Sequence, residues 1–140
     1  LLIGVFEKEF NTNNELKQLK VKYKDIIKNC MNLREINKAK KMIDEYEDMF
    51  KQDIELLNIK GIIEILENNT DKAEIILKKA FLLSNRNCDT MFNIGYLKES
   101  LGYHDEAMKF YNNILVNSKD EELISEVKNK MESLYGKVNS

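Results

Sequence analysis

The stretch GIIEILENNTDKAEIILKKA, residues 61–80, decides the fold of this chain. Its small and apolar positions recur 34 residues later and 34 residues earlier, while the polar positions between them vary. A fixed offset of this kind is typical of stacked helical repeats. The recurring positions are Leu57, Gly61, Ala73, Leu77 and Ala80, then Met91, Gly95, Ala107, Tyr111 and Ile114, and upstream Tyr23, Ile27, Ala39, Ile43 and Tyr46.

The composition indicates a helical globular protein. Hydrophobic residues make up 43% of the chain and charged residues 33%, which is ordinary for a folded domain. There is no proline and there are only five glycines, so little in the sequence would break helices. The abundance of Asn, Lys and Ile is interpreted as the bias of an AT-rich, bacterial genome.

The charges and cysteines predict no cofactor, metal or nucleic-acid site. Residues 1–41 carry ten Lys/Arg and five Asp/Glu, a net +5, whereas residues 42–140 carry twelve and nineteen, a net −7. We interpret both as solvated helix faces. Nucleic-acid binding is not expected, because phosphate contacts need a sustained basic face. Cys30 and Cys88 form no CxxC pair, which predicts reduced thiols and a cytoplasmic protein. The apolar run Leu1–Phe6 is far shorter than the ~20 residues of a membrane span.

The spacing of apolar residues predicts three helix hairpins and a last helix within residues 15–136. We place the repeats at about 20–53, 54–87 and 88–119, and a capping helix at 119–136. Residues 11–14 are predicted to form a turn, which separates an N-terminal segment, residues 1–14, from the repeats. Since the chain begins without Met, this segment is a candidate remnant of an upstream domain. The expected helix caps are Thr70, Asn87 or Asp89, and a capping box from Ser118 to Glu121.

The hairpins resemble the tetratricopeptide repeat, a 34-residue helix–turn–helix unit with small residues at fixed positions. The resemblance covers about residues 20–119; Ile27 replaces the glycine of the first unit, and Lys98 stands where the family usually has an apolar residue. It implies an all-α fold, a right-handed superhelical solenoid of antiparallel helix hairpins. The two repeat glycines would let the helices of a hairpin approach each other, against the small surface of the alanines. The positions that carry the pattern are Ala39, Gly61, Ala73, Ala80, Gly95, Gly102 and Ala107.

The resemblance also implies a function, because the first helix of each hairpin lines a concave groove in this family. A protein or peptide partner would bind there, and the groove would be basic at one end and aromatic and acidic at the other. The candidate groove residues are Lys24, Lys28, Asn58, Ile62, Ile65, Phe92, Asn93, Tyr96 and Glu99. The family variant that clamps a C-terminal carboxylate finds too few matching residues here.

Other readings of the sequence remain. One is that the chain is a C-terminal accessory segment of a larger bacterial enzyme such as a glycosyltransferase, and another is self-association through the ends of the solenoid. A third is the RNA-reading pentatricopeptide family, which the acidity of the chain disfavours. The segment itself is predicted not to be an enzyme, because its sole histidine, His104, is expected to cap a helix or lie in a loop.

Overall fold

The computed structural model describes residues 2–138, with side chains for residues 12–137, and this part of the chain is entirely helical. The helices follow one another with short connections. They are α1 (Leu2–Asn32), α2 (Ile36–Met49), α3 (Ile54–Leu66), α4 (Thr70–Leu83), α5 (Cys88–Ser100), α6 (His104–Asn117) and α7 (Glu121–Val138). The all-α fold of consecutive hairpins is therefore confirmed.

The chain divides into two compact units. Unit 1, residues 1–52, contains the α1/α2 hairpin, and unit 2, residues 53–140, contains the other helices. Within unit 2, α3 pairs with α4, α5 with α6, and α6 with α7, while α3 and α4 both pack against α5. The first helices of the two hairpins thus lie side by side, and α7 covers the end of the second hairpin.

The turn inside each hairpin has the same backbone geometry, repeated at the period of the sequence. Arg34, Asn68 and Gly102 have positive φ values of 60°, 61° and 84°. In each turn, the next N–H reaches back five residues to a carbonyl oxygen, at 2.8 Å from Glu35, 2.8 Å from Asn69 and 2.9 Å from Tyr103. This is the Schellman arrangement that ends a helix with a left-handed residue.

Replacing Arg34 with glycine is expected to stabilise the protein by about 0.5–1 kcal/mol, because glycine adopts positive φ without the cost that a Cβ imposes. The measurement is the urea midpoint of unfolding. Asn68→Gly should gain less, since asparagine tolerates this conformation, and Gly102→Ala should lose stability. If the stabilities of the three variants fail to follow this order, the positive φ of the turn residue does not determine how each substitution changes the stability.

The helices begin in two alternating ways. Asp53 Oδ1 accepts a hydrogen bond from the N–H of Leu56, and Asn87 Oδ1 accepts one from Thr90, both at 2.9 Å. The N-caps of α2, α4 and α6, namely Glu35, Asn69 and Tyr103, make no such side-chain bond. The first helix of each hairpin in unit 2 is therefore capped by a side chain, whereas the second begins directly from the turn.

Two predicted caps are wrong. Thr70 is the first helical residue of α4, and Asn69 holds the N-cap position. At α7, Asp120 replaces the predicted Ser118, because its Oδ1 accepts hydrogen bonds from the N–H of Glu122 and Leu123 at 3.1 and 3.2 Å. Ser118 Oγ instead accepts a bond from the N–H of Asp120 at 3.1 Å, so it orders the capping residue. Asn87, one of two residues predicted for α5, is confirmed.

The repeat alanines and glycines are packing positions, with one correction. Ala39, Ala73, Ala80 and Ala107 are fully buried, as their recurrence predicts. The glycines, however, make room for large side chains rather than for these alanines. A Cβ on Gly61 would lie 2.5 Å from Leu77 Cδ2, and one on Gly95 would lie 2.6 Å from the Tyr111 ring.

Unit 1 has different residues at these two repeat positions. They are Ile27 and Ile43, both buried, in place of a glycine and a large partner. The departure of Ile27 from the family pattern therefore still gives a buried residue in the hairpin.

Two further expectations differ from the structure. No turn forms at residues 11–14, because α1 runs unbroken from Leu2 to Asn32. Asparagine costs at most about 0.7 kcal/mol relative to alanine in a helix interior, and residues 11–14 contain no Gly or Pro that would end the helix. The spacing of apolar residues also predicts that Leu83 is buried with the rest of α4. It is instead 61% exposed, since the buried stripe of Ala73, Leu77 and Ala80 continues toward position 84 rather than 83. None of the described helices is both long and apolar enough to cross a bilayer.

Candidate functional site

Three of the predicted groove residues meet around a lysine of α7. Lys130 Nζ lies 4.7 Å from the ring centroid of Tyr96 and 5.9 Å from that of Phe92, and 3.6 Å from Glu99 Oε2. Tyr96 is 38% exposed, while Phe92 and Glu99 are half-buried on the same helix, α5. We call Phe92, Tyr96, Glu99, Tyr111 and Lys130 the aromatic–acidic cluster.

Tyr111 of α6 binds the Glu99 carboxylate of the cluster. Its hydroxyl donates to Glu99 Oε2 at 2.8 Å, and its fully buried ring lies 5.9 Å from that of Phe92. Burial of the phenol, together with the neighbouring Glu99 carboxylate, raises the pKa of Tyr111 far above its ordinary value. Tyr111 therefore stays a neutral hydrogen-bond donor to Glu99 at physiological pH.

Asn58 and Asn93 form a buried polar chain rather than an open groove surface. Asn93 Nδ2 donates to Asn58 Oδ1 at 3.0 Å, and Asn58 Nδ2 donates to Thr90 Oγ1 at 2.8 Å. The Thr90 hydroxyl in turn donates to Asn87 Oδ1 at 3.2 Å. The two asparagines are only 6% and 7% exposed, so these side chains join α3 to α5 and leave little surface for a partner.

The other predicted groove residues fall into separate surroundings. Ile65 is 7% exposed and packs in a core cluster with Ala73, Leu77 and Leu97, so it is a core residue. Ile62 is half-buried on α3, one repeat before Tyr96. Lys24 and Lys28 belong to unit 1, where Lys24 Nζ lies 6.0 Å from the ring of Tyr46 and Lys28 is exposed.

Lys130 and Tyr111 are the two members of the cluster that were not predicted as site residues, since α7 was interpreted only as an end cap and Tyr111 only as a repeat position. A signal was present in the sequence: Lys130 lies three residues after Val127 and four before Leu134, and both of these are fully buried. A lysine on the buried stripe of an amphipathic helix is unlike the solvated lysines beside it.

A concavity of unit 2 lies between α4, α5 and α6 and measures about 220 Å³. Its apolar lining is Leu77, Phe81, Ile94, Leu97 and Phe110. At its rim, Lys98 pairs with Glu106 of α6 at 3.1 Å and Glu74 of α4 at 3.9 Å. These partners explain how a lysine occupies a position that is usually apolar in the repeat.

The histidine lies at the start of a helix. His104 is the first residue of α6 and is half-buried rather than exposed in a loop, and its Nδ1 has no hydrogen-bond partner in the described part of the chain. Among the residues whose side chains are described, no three His, Cys, Asp or Glu residues come together as metal ligands.

Comparison with solved structures assigns the class of fold. The chain is similar to the first tetratricopeptide domain of Spaghetti (RPAP3), solved with an HSP90 peptide SRMEEVD, with a TM-score of 0.70 and 14% identity over 86% of this chain and 94% of that one. It is also similar to the Arabidopsis OM64 tetratricopeptide domain, with a TM-score of 0.65 and 17% identity over 81% of this chain and 94% of that one. Together with the recurring turns, these similarities confirm that the fold is of the tetratricopeptide type.

A comparison with sequence families places the chain in a narrower group than the fold class. The sequence model of the coatomer epsilon subunit family matches residues 8–138, and the chain belongs to this family. The search of curated proteins found no match.

Proposed function

We propose that this chain is a non-catalytic interaction module that binds a protein partner on the α3/α5 face of unit 2. The observation that carries the proposal is the aromatic–acidic cluster, where an exposed Tyr96 lies beside a half-buried Phe92 and an ion pair. Aromatic residues next to charged groups are the residue types that dominate protein interfaces. Ile62, at the same repeat position on the adjacent helix, extends this face.

The comparisons support the same class of function. The family description names a subunit, that is, a protein that works within an assembly. One structural neighbour was solved with a bound peptide. We therefore propose a protein or peptide as the partner, rather than a nucleic acid or a small molecule.

The remaining expectations about the cell stay proposals. A cytoplasmic location agrees with the two free cysteines. Nothing in the comparisons supports the bacterial glycosyltransferase context. Self-association through the apolar N-terminal residues concerns side chains outside those described, and Lys24 and Lys28 stay predicted partner contacts of unit 1.

Site-specific photo-crosslinking tests the proposal. A photoreactive phenylalanine analogue at position 62 or 96, introduced into the full chain in its own cells, should crosslink to one and the same protein. The matched controls are positions 82 and 116, whose Leu82 and Val116 are 76% and 82% exposed on the second helices α4 and α6.

The crosslinked protein should then bind the purified chain, and Tyr96→Asp should weaken that binding at least tenfold by removing an interface aromatic. Equal crosslinking from the control positions would contradict the proposed face. So would a purified complex that ignores Tyr96→Asp.

A further inference from the structure

Within the aromatic–acidic cluster, the other side chains surround a cationic group, the ammonium of Lys130. Two aromatic rings and one carboxylate surround that group, at 4.7 Å (Tyr96), 5.9 Å (Phe92) and 3.6 Å (Glu99). Aromatic faces and a carboxylate are the groups with which proteins recognise lysine and arginine side chains. The arrangement is therefore a cation site whose occupant belongs to the same chain.

Glu99 and the helix that carries Lys130 are both held by contacts that do not involve the Lys130 ammonium group. Glu99 is fixed independently by the Tyr111 hydroxyl at 2.8 Å. The helix that carries Lys130 is anchored by Val127 and Leu134, both fully buried, rather than by its lysine. The side chains of Lys130 and Glu99 are 25% and 19% exposed, so the pair can be reached from solvent.

We propose that Phe92, Tyr96 and Glu99 of the aromatic–acidic cluster recognise an arginine side chain of the protein partner. The Lys130 ammonium group of the same chain competes with that arginine for the same position. The inference rests on the proposed function, because it names the partner chemistry of the same face. Arginine fits better than lysine because its planar guanidinium stacks on an aromatic ring while giving two parallel hydrogen bonds to a carboxylate. The partner arginine would take the Glu99 carboxylate and the Tyr96 ring, and the flexible Lys130 stem would turn into solvent.

Peptide titration of the purified full chain tests this inference. The probe is acetyl-Ala-Leu-Arg-Leu-Ala-amide, and its affinity is measured from NMR shifts of the Tyr96 ring. Lys130→Met keeps the apolar stem but removes the competing charge. It should bind the probe roughly tenfold more tightly, as expected if the lysine fills the site nine-tenths of the time.

The controls separate recognition from a change in net charge. Lys128→Met removes the same charge from an exposed position on α7 and should leave the affinity unchanged. A probe with Glu in place of Arg should gain nothing from Lys130→Met, and Glu99→Gln in the Lys130→Met background should abolish the gain. An equal gain from Lys128→Met or with the Glu probe, or no gain at all, would overturn the proposal.

A second measurement needs no substitution and so does not depend on the folding of a variant. In the unmodified chain, saturating probe should shift the side-chain Cε resonance of Lys130 and leave that of Lys128 in place. Binding that leaves the Lys130 resonance unmoved would overturn the competition. Both measurements use the purified chain and a synthetic peptide, so their failure is distinct from a failure to find a cellular partner by crosslinking.

Discussion

Gly95→Ala is expected to destabilise the protein by about 2–3 kcal/mol, although alanine is the better helix former. The new Cβ would lie 2.6 Å from Cε1 and 3.0 Å from Cδ1 of the Tyr111 ring. The ring cannot move aside easily, because it is fully buried and its hydroxyl is bonded to Glu99. Either α5 and α6 must separate or the ring must leave its place, and both lose packing.

Chemical denaturation of the full chain measures this effect, and the sequence offers a matched control. A Cβ on Gly136 of α7 would meet no atom of the described residues within 4 Å, so Gly136→Ala should be neutral or slightly stabilising. In a Tyr111→Leu background, Gly95→Ala should cost less, because a leucine side chain can shift where the ring cannot. Similar midpoints for Gly95→Ala and Gly136→Ala would mean that the close approach does not limit stability.

Asn58→Ala is expected to cost about 2–4 kcal/mol, since it breaks two buried hydrogen bonds and leaves the buried Asn93 amide without its acceptor. The Thr90 hydroxyl would lose its donor at 2.8 Å, and the Asn93 amide would lose its acceptor at 3.0 Å. Both partners are buried, at 0% and 7% exposure, so water cannot easily replace the lost bonds.

The exposed Asn112 of α6 provides the comparison for this substitution. Asn112→Ala should change the free energy of unfolding by less than about 0.5 kcal/mol, as is usual for surface positions. Thr90→Val also removes two hydrogen bonds but should show a smaller loss than Asn58→Ala, because one of them, to Asn87 Oδ1, is only partly buried. A loss for Asn58→Ala no larger than for Asn112→Ala would show that the polar chain does not hold α3 against α5.

Periodicity predicted the fold well because each repeat residue acts through contacts within its own hairpin. Small residues such as Ala73 and Ala107 recur wherever two helices must approach, and the spacing of 34 also predicts where the turns fall. The caps were harder to predict, since Ser118 and Asp120 both have a suitable oxygen and only the backbone path decides between them.

The candidate site was only partly predictable. Phe92, Tyr96 and Glu99 were placed on one face by helical spacing, and the structure brings them together around Lys130. Asn58 and Asn93 were predicted to line the groove because they lie on the first helices of their hairpins, and the structure buries both. Their mutual hydrogen bond depends on the register between two helices, which no pattern within one helix contains.

The recurring turns also bear on how the chain reaches its fold. Each turn is closed by bonds spanning only three to five residues, at Arg34, Asn68 and Gly102 alike. Such a hairpin can form before any distant segment is recruited, so the loop-closure entropy of each step is small. Chains of low contact order fold rapidly, and a repeat architecture can begin folding at more than one hairpin. A destabilising substitution in one turn should therefore make folding begin at another hairpin rather than prevent folding.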